Sequence, residues 1–412
     1  MKGSKINRGF DYASAHDALA RLLSRLLPVG QESIRLERAA GRVLSQPIYA
    51  DRDSPPSDVS AMDGYAVRTA QAEQGGLFEV SGEVAIGQPV LPMPREGCLK
   101  IGTGACVPEG CDAILPREQV EESDQAITIP SELSFRAGQH IRFRGENATQ
   151  GSIVISEGTT ITPPVASALA AFGRASVSAY RPVRVAVITT GDELLPIESS
   201  PRPWQIRDSN TATLRAALSS VPWIDLINAE HIVDAPALLT DALGSAAEHA
   251  DLIITTGGVS MGDHDYLKPA LISVGGEVVY HKLPIRPGKP SLGGLVEPRK
   301  APGRTVPVVA LPGNPVAVAA GLPLLISPVS RMLAGFRSPT PRRPTALLRN
   351  PPDRTLNLWQ YLPVAWHGDG QVEFLPTKGS GDLAAAARAD GFLQIPPGCS
   401  GTGPWVFYDP KL

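Results

Sequence analysis

VRVAVITT, at residues 183–190, is a continuous apolar run, and runs of the same kind recur along the chain as far as residue 311. The others are WIDLINA (223–229), DLIITT (251–256), EVVYHK (277–282) and VPVVAL (306–311). Helical patterns separate them at residues 210–219, 235–249 and 264–274. Strands without polar alternation are typical of sheets buried on both faces. The order of the runs therefore predicts βαβ units and a mostly parallel, doubly wound α/β domain at residues 182–336.

Short alternating runs, broken by Gly and Pro, fill the chain ahead of this domain and predict a β-rich region. Helical segments flank that region on both sides. Ser14 and Asp17 resemble a capping box that opens a helix ended by Pro28, and PPVASALAAFG (163–173) begins with proline and ends with glycine. We therefore expect a β-rich insertion domain, 35–151, within a discontinuous helical and linker domain, 1–34 and 152–181.

The last part of the chain, residues 337–412, returns to short strands and predicts a small terminal β domain. We expect these strands at residues 343–348, 359–366, 370–374 and 391–396. Just before them, the apolar run 315–329 is shorter than a membrane span and is interrupted by Pro323 and Pro328, so it predicts a buried core helix. The start of the chain has no apolar h-region, which predicts that there is no signal peptide.

Charge and composition narrow the classes of partner. Lys plus Arg number 38 against 41 Asp plus Glu, and a balance this weak does not draw the whole protein onto nucleic acid or an anionic membrane. Aromatic content of 5% argues against base-stacking platforms for single-stranded nucleic acid. The cysteines have no C-x-x-C spacing, which favours buried free thiols in a reducing cytoplasm: Cys98, Cys106, Cys111 and Cys399.

Three of the predicted strands end in glycine-containing segments: TTGDE (189–193), TTGGVSMGDHD (255–265) and LPGNP (311–315). In an open α/β sheet, ligands bind beyond the carboxyl ends of the strands. Glycine lets backbone N–H groups approach a ligand, and helix N-termini favour negative charge. Each segment alone also fits an ordinary turn, and the third fits a proline that starts a helix. Together, on one sheet, they predict an anion-binding site.

Charged side chains of both signs accompany these segments. The acids are Asp192, Glu193, Asp263 and Asp265. Carboxylates beside phosphate-binding loops are typical of Mg²⁺ sites, although Asp192 and Asp263 fit helix N-caps equally well. HKLPIRPGKP (281–290) carries the cations Lys282, Arg286 and Lys289. Solvated surface charge is one interpretation of this loop, and a cradle for a second anion is the other.

Taken together, these motifs resemble those of the molybdopterin molybdenumtransferase family, which includes MoeA and the C-terminal part of gephyrin. The similarity extends from about residue 13 to residue 397. SAMDGYA (60–66), TTGGVSMGDHD and LPGNP in this order are its most specific part. Further matching segments are AAGRVLSQPI (39–48), IGTGACVPEGCDAIL (101–115), IRDSN (206–210), RPGKP (286–290) and ARADGFLQIP (387–396).

The resemblance implies a fold and a reaction. The fold is an elongated homodimer whose subunits contain a MogA-like α/β domain, a β-rich insertion and a small C-terminal β-barrel. The reaction is the Mg²⁺-dependent insertion of molybdate into adenylylated molybdopterin, with release of AMP. The active site would lie between the α/β domain of one subunit and the insertion of the other. The expected protein partners are the molybdopterin adenylyltransferase upstream and apo-molybdoenzymes downstream.

The resemblance also implies roles for individual residues. Catalytic roles fall on Asp63, Thr103, Glu193 and Asp265, and Glu193 and Asp265 would hold Mg²⁺. The implied substrate-binding residues are Asp234, Gly257, Gly258, Ser260, Asp263, Lys282, Arg286, Lys289, Pro312, Gly313, Asn314, Pro315 and Ser380.

The chain departs from the family pattern in two segments. Asn147 stands where the family usually has an aspartate, which would weaken metal binding there or pass it to Glu146. Ala384 and Ala385 stand where serines are frequent, and Ser380 is then the nearby hydroxyl.

Three alternative functions remain open from the sequence. One is a non-catalytic, gephyrin-like scaffold, and the second is a paralogue that prefers tungstate. The third is an unrelated nucleotide enzyme that shares only the α/β domain. SAMDGYA and the terminal segments disfavour the third alternative, because they match outside that domain.

Overall fold

The structure, a computed structural model, describes residues 10–259, 266–379 and 381–410. The chain divides into two compact units. The first, here called the α/β unit, comprises Met1–Gln46, Glu157–Ala166 and Ser176–Leu412. The second, here called the β-rich unit, comprises Pro47–Ser156 and Ser167–Ala175.

A six-stranded sheet forms the centre of the α/β unit. In chain order its strands are Val183–Thr190, Ile224–Ile232, Leu252–Thr256, Glu277–His281, Leu292–Val296 and Val306–Leu311. In space the order is second, first, third, sixth, fifth and fourth. The first, second, third and sixth strands are parallel, and the fifth is antiparallel to both of its neighbours. The predicted mostly parallel, doubly wound domain is confirmed.

Helices cover this sheet, and the helical segments expected between the strands are present. They are Ser209–Leu218, Pro236–His249, Leu267–Ser273, Pro315–Gly321 and Ser327–Leu333. The third and sixth strands are buried along their whole length, since apolar side chains from both faces of the sheet enter two separate core clusters. This burial explains why the strands lack polar alternation.

The fifth strand, LGGLV, was not predicted, because two adjacent glycines disfavour a strand assignment. The structure shows why glycine stands there. A Cβ on Gly293 would overlap the ring of Tyr280, and one on Gly294 would overlap the side chain of Leu271. The two glycines therefore let the buried Tyr280 ring and a covering helix lie directly against the strand.

Gly293→Ala is expected to lower the free energy of unfolding by about 1–3 kcal/mol, because the added methyl group overpacks this contact. Gly244→Ala is the matched control. Gly244 lies inside the helix Pro236–His249, and its Cβ would meet Val274 Cγ1 at an ordinary 3.8 Å. The control is expected to raise the free energy of unfolding by about 0.5–1 kcal/mol. Urea denaturation checks both variants, and a Gly293→Ala protein as stable as the parent would contradict this packing.

The apolar segment after the sixth strand is one helical run, Pro315–Leu333, with a π-helical turn at Leu322–Ile326. Its 19 residues are enough, by length and composition, to cross a membrane, and most of the helix is buried inside the protein. The helix is therefore longer than expected, because it continues past Val329. Burial, rather than length, identifies it as a core helix.

The N-terminal helix of the α/β unit is Ala15–Leu23. Its predicted cap is confirmed, because the Ser14 hydroxyl oxygen accepts a hydrogen bond from the Asp17 backbone N–H at 3.2 Å. The helix ends at Leu23, earlier than the expected Pro28. The strand Gln31–Arg35 then pairs antiparallel with Ser176–Tyr180, so the chain segments before and after the β-rich unit lie side by side.

Five strands near the C-terminus close into a small barrel: Thr345–Leu348, Trp359–Gly368, Gln371–Phe374, Gly391–Ile395 and Trp405–Tyr408. The predicted C-terminal β-barrel is confirmed. Its last strand was missed, because the glycine-rich segment 398–404 before it indicates a loop. A short helix, Leu383–Ala386, lies between the third and fourth strands of the barrel.

The β-rich unit is built on a mixed six-stranded sheet, in agreement with the predicted β-rich region. The strands of this sheet are Gly64–Val67, Gly76–Val84, Cys98–Ile101, Ala113–Pro116, Glu121–Glu122 and Ala126–Ile129. Short strands flank it at Ile48–Tyr49, Val59–Ser60, Ile141–Arg142 and Ile153–Ile155, with the helix Thr69–Ala72. The helix Pro163–Ala171 belongs to the α/β unit up to Ala166 and to the β-rich unit from Ser167.

All four cysteines are free, but of these only Cys98 is fully buried, so the expectation of buried thiols was too broad. Burial raises the pKa of the Cys98 thiol to about 12.

Candidate functional site

The carboxyl ends of the four parallel strands meet at one edge of the α/β sheet. Thr190 of the first strand pairs with Ile232 of the second, and Thr256 of the third pairs with Thr189 and with Leu311 of the sixth. The segments that begin at Gly191, Val233, Gly257 and Pro312 therefore start side by side. This edge, called here the strand-end edge, is where the sequence predicts an anion site.

The loop of three cations begins at the same edge. Leu292, the first residue of the fifth strand, pairs with Ala310 on one side and with His281 on the other. The chain therefore leaves the fourth strand at the strand-end edge. Backbone hydrogen bonds close the loop, from Lys282 N–H to Ser291 C=O at 3.1 Å and from Leu283 N–H to Lys289 C=O at 2.8 Å.

Two of the three cations on this loop are exposed. Arg286 and Lys289 face solvent, and Lys282 is half-buried. The Lys289 ammonium lies 5.4 Å from the centre of the Phe10 ring. The loop thus presents a concentrated positive charge at the strand-end edge. Binding of an oxyanion by these cations stays a prediction.

The glycine segment after the third strand has a backbone conformation that residues other than glycine could adopt only with strain. Gly257 and Gly258 have φ values of +87° and +64°. A Cβ on Gly257 would overlap the backbone and hydroxyl oxygens of Thr190, so the two strand ends approach closely. The Gly257 N–H donates to Leu311 C=O at 3.1 Å. The predicted residues Ser260, Asp263 and Asp265 follow directly and lie outside the described residues.

Buried polar atoms accumulate beneath this segment. The hydroxyl oxygens of Thr190, Thr255 and Thr256 are buried and have no hydrogen-bond partner among the residues that the structure describes. Buried polar atoms are normally paired, so each such atom needs an explanation. Their position at the ends of two neighbouring strands is compatible with a polar ligand site.

LPGNP forms a turn that starts a helix. The side-chain oxygen of Asn314 accepts hydrogen bonds from the backbone N–H groups of Val316 (3.1 Å) and Ala317 (3.4 Å), and Pro315 is the first helical residue. The Asn210 side-chain amide donates to Gly313 C=O at 2.9 Å. The interpretation of Pro315 as a proline that starts a helix is thus confirmed, Asn314 caps that helix, and the segment is held in place. Ligand contacts by Pro312, Gly313, Asn314 and Pro315 stay predictions.

Asp208 and Asn210 are two site-forming residues that were not predicted. The Asp208 carboxylate accepts hydrogen bonds from the Thr189 hydroxyl at 2.9 Å and the Thr211 backbone N–H at 2.9 Å, and it caps the helix Ser209–Leu218. Asn210 is 4% exposed. Both residues lie in IRDSN, a segment that matches the family pattern but to which the resemblance gave no role.

The acidic turn after the first strand is not the start of a helix. Asp192 lies in a turn before the short strand Leu194–Leu195, so its interpretation as an N-cap was wrong. Its carboxylate accepts a hydrogen bond from the Asp234 backbone N–H at 3.0 Å, which links the ends of the first two strands. Glu193, the next residue, is exposed. In the described ranges, no group of three His, Cys, Asp or Glu side chains is arranged to hold a metal ion.

In the β-rich unit, Asp63 and Thr103 are in direct contact. One carboxylate oxygen of Asp63 accepts hydrogen bonds from the Thr103 backbone N–H at 2.7 Å and from the Thr103 hydroxyl at 2.8 Å. The backbone bond, followed by the hydroxyl bond, lowers the pKa of Asp63. Both residues are exposed, so the structure brings together an ionised carboxylate and a hydroxyl that can contact a ligand.

Thr103→Val is expected to move the pKa of Asp63 upward, towards the ordinary value of an aspartate, because the hydroxyl donor is lost while the backbone donor remains. Thr103→Ser keeps the hydroxyl and should keep the lowered pKa. Carboxyl NMR titration measures both variants. A Val variant that titrates like the parent would show that the hydroxyl does not stabilise the carboxylate.

The two departures from the family pattern have local partners. The Arg142 guanidinium donates to the Asn147 side-chain oxygen at 2.7 Å and to Glu146 at 2.8 Å. The other Glu146 oxygen accepts from the Phe143 N–H at 3.0 Å, so both oxygens of that carboxylate are engaged within the chain. Further along, the Ala385 N–H donates to Asp382 at 3.0 Å, and Ser380 lies outside the described residues.

Three family models match consecutive parts of the chain. They are described as "MoeA N-terminal region (domain I and II)" at residues 13–173, "Probable molybdopterin binding domain" at 186–331 and "MoeA C-terminal region (domain IV)" at 347–404. A molybdopterin molybdenumtransferase of Haemophilus influenzae is 35% identical over 320 residues, 77% of either chain. A Synechocystis protein of the same name is 30% identical over 89% of this chain and 91% of its own. The crystal structure of a molybdopterin biosynthesis MoeA protein from Pyrococcus horikoshii superposes with a TM-score of 0.75 at 27% identity, covering 97% of this chain and 99% of the other.

Proposed function

Because this chain belongs to the molybdopterin molybdenumtransferase family, we propose that it inserts molybdenum into molybdopterin during molybdenum cofactor biosynthesis. The resemblance inferred from the motifs is confirmed, and so is the prediction of a transferase. The observation that carries the proposal is the strand-end edge. There the Gly257–Gly258 segment and LPGNP begin side by side, and the loop of three cations begins at the same edge.

The substrates of the proposed reaction are adenylylated molybdopterin and molybdate. Backbone N–H groups of the glycine segments would bind phosphate oxygens, because positive-φ glycines allow close approach of a ligand to the main chain. Lys282, Arg286 and Lys289 would bind the remaining oxyanion charge. Cleavage of the adenylate would release AMP. The support for this choice of substrates is the family resemblance together with the charge of the loop.

The proposed metal is Mg²⁺. The donor set at the acidic turn fits it, because Mg²⁺ takes carboxylate oxygens together with substrate phosphates, and Glu193 presents an exposed carboxylate at the strand-end edge. Glu193 would hold the ion together with Asp265, which lies outside the described residues. When bound, Mg²⁺ would neutralise phosphate charge and polarise the phosphorus under attack. Asp192 would keep the turn in place through its hydrogen bond to Asp234 N–H.

We further propose a cytoplasmic homodimer in which Asp63 and Thr103 of one subunit act on the substrate held by its partner. The family resemblance supports this arrangement, and the ionised, exposed Asp63 suits a residue that contacts a substrate or its metal. The molybdopterin adenylyltransferase upstream and apo-molybdoenzymes downstream are the proposed protein partners. The relatives are named as transferases, so the scaffold alternative is not favoured.

The test is a reconstituted reaction. Purified protein with adenylylated molybdopterin, Mg²⁺ and molybdate should release AMP and yield cofactor that activates an apo-molybdoenzyme. A reaction without Mg²⁺ tests the metal requirement, and one with tungstate in place of molybdate tests the tungstate-preferring alternative. Absence of AMP release from competent substrate would contradict the proposed function.

A further inference from the structure

An exposed tryptophan lies close in the chain to the acidic turn. The strands Leu194–Leu195 and Ile206–Arg207 pair in parallel, and the Ile206 N–H donates to Glu193 C=O at 2.9 Å. Trp204 precedes Ile206 by two residues and is 67% exposed. Neighbouring Cα atoms are about 3.8 Å apart, so the Trp204 Cα lies at most about 7.6 Å from the residue bonded to Glu193. The backbone at Trp204 therefore lies close to the acidic turn that carries Glu193.

The turn that carries Trp204 is held by hydrogen bonds. The Gln205 N–H donates to Arg202 C=O at 2.9 Å, and the Arg207 guanidinium donates to Ser199 C=O at 3.0 Å. The Arg202 guanidinium lies 5.6 Å from the centre of the Trp204 ring. The tryptophan thus has a fixed backbone and a cation over one face of its ring.

Two further large apolar side chains of the same segment are exposed. Ile197 is 58% exposed and Ile206 is 54% exposed. A stable protein–protein interface takes about 800 Å² from each partner, supplied by about 20–30 residues. Three side chains cannot supply that area, but their size suits one flat ring system. The flanking arginines suit a ligand that also carries phosphate.

We propose that the Trp204 indole, on the ring face opposite Arg202, stacks on a fused heterocycle of the substrate that carries phosphate. The proposal rests on the function proposed above, whose substrate contains two such rings, an adenine and a pterin. Both rings share the chemistry that an indole recognises, a flat π-face joined to phosphate. Trp204 would then be a substrate-binding residue that adds affinity at the strand-end edge.

Fluorescence titration with AMP and with neopterin monophosphate tests the proposal. Stacking of a base on an aromatic side chain contributes to the binding free energy. Trp204→Ala should therefore weaken binding of the stacked ligand about ten-fold. Trp204→Phe keeps a π-face and should stay within about three-fold of the parent. The ligand whose affinity falls in Trp204→Ala identifies the ring. Trp366→Ala, which removes a 43% exposed tryptophan of the terminal barrel, is the control and should bind both ligands like the parent.

Two results would overturn the proposal. One is an affinity for both ligands that is the same in Trp204→Ala as in the parent, and the other is a parent protein that binds neither ligand. The reconstituted reaction separates this failure from failure of the proposed function. If the parent forms cofactor and Trp204→Ala has an unchanged KM, only the stacking role is lost. If the parent forms no cofactor, the proposed function is lost whatever the titration shows.

Discussion

Replacing Glu193 with glutamine is expected to slow cofactor formation by about 100-fold or more, because it removes a carboxylate charge where transition-state stabilisation is electrostatic. Glutamine keeps the size of the side chain, and Glu193 is exposed, so the fold should be unaffected. The measurement is the rate of AMP release at saturating substrate, with circular dichroism to check the fold. A rightward shift of the Mg²⁺ titration should accompany the loss.

Glu198→Gln is the matched control for this experiment. Glu198 is exposed on the same segment, five residues beyond Glu193, and bears the same charge. We expect its rate to equal that of the parent. If Glu193→Gln also retains the parental rate and Mg²⁺ dependence, Glu193 neither holds the metal nor contributes charge to the reaction.

The second large effect concerns stability. Asp251→Ala is expected to lower the free energy of unfolding by about 2–3 kcal/mol, because it removes the acceptor of charge-assisted hydrogen bonds from arginines that are only partly exposed. Asp251 is 6% exposed and precedes the third strand of the α/β sheet. Its carboxylate accepts from Arg181 at 2.6 Å and from Arg184 at 3.0 Å, and Arg304 lies 3.3 Å away.

The control for Asp251 is an ion pair on the surface. Arg25 and Glu277 are 2.6 Å apart with side chains 45% and 53% exposed, and Glu277→Ala should cost less than about 1 kcal/mol. Guanidinium chloride denaturation compares the two variants. If both variants lower the free energy of unfolding by the same small amount, the ion pairs of Asp251 do not stabilise the fold.

Asp251 also predicts how stability depends on pH. Burial alone would raise its pKa, but the hydrogen bonds from Arg181 and Arg184 outweigh burial and hold the pKa at about 2. An aspartate in the unfolded chain has a pKa of about 3.9. The contribution of Asp251 to stability is therefore complete above about pH 4 and is lost as the pH falls towards 2. Asp251→Asn should remove this part of the acid dependence, and an unchanged acid transition would contradict the assignment.

The sheet of the α/β unit could be predicted where its strands are apolar and uninterrupted. VRVAVITT and VPVVAL are such runs, and both are buried strands in the structure. The strand LGGLV could not be predicted, because glycine is required there by the close contacts with Tyr280 and Leu271. These contacts form only in the folded chain. The local hydrophobic pattern therefore predicts a strand when burial alone determines its sequence. It does not predict a strand in which a contact with distant residues requires glycine.

The same distinction applies to the site. The carboxyl ends of parallel strands always meet at one edge, so the meeting of Gly191, Gly257 and Pro312 followed from the strand order. The Asp63–Thr103 contact joins residues 40 positions apart, and nothing local to either segment indicates it. Asp208 was missed for a related reason. Its function as a cap is visible only once the helix Ser209–Leu218 and the hydroxyl of Thr189 are placed beside it.

The strand-end edge is expected to bind the substrate anions. Crystals grown with molybdate and AMP test it most directly, because anomalous scattering locates molybdenum without ambiguity. We expect the molybdenum peak within hydrogen-bond reach of Lys282, Arg286 or Lys289, and the AMP phosphate against the Gly257–Gly258 segment. A molybdenum peak and a phosphate that both lie away from the loop of three cations and from the glycine segments would contradict the claim.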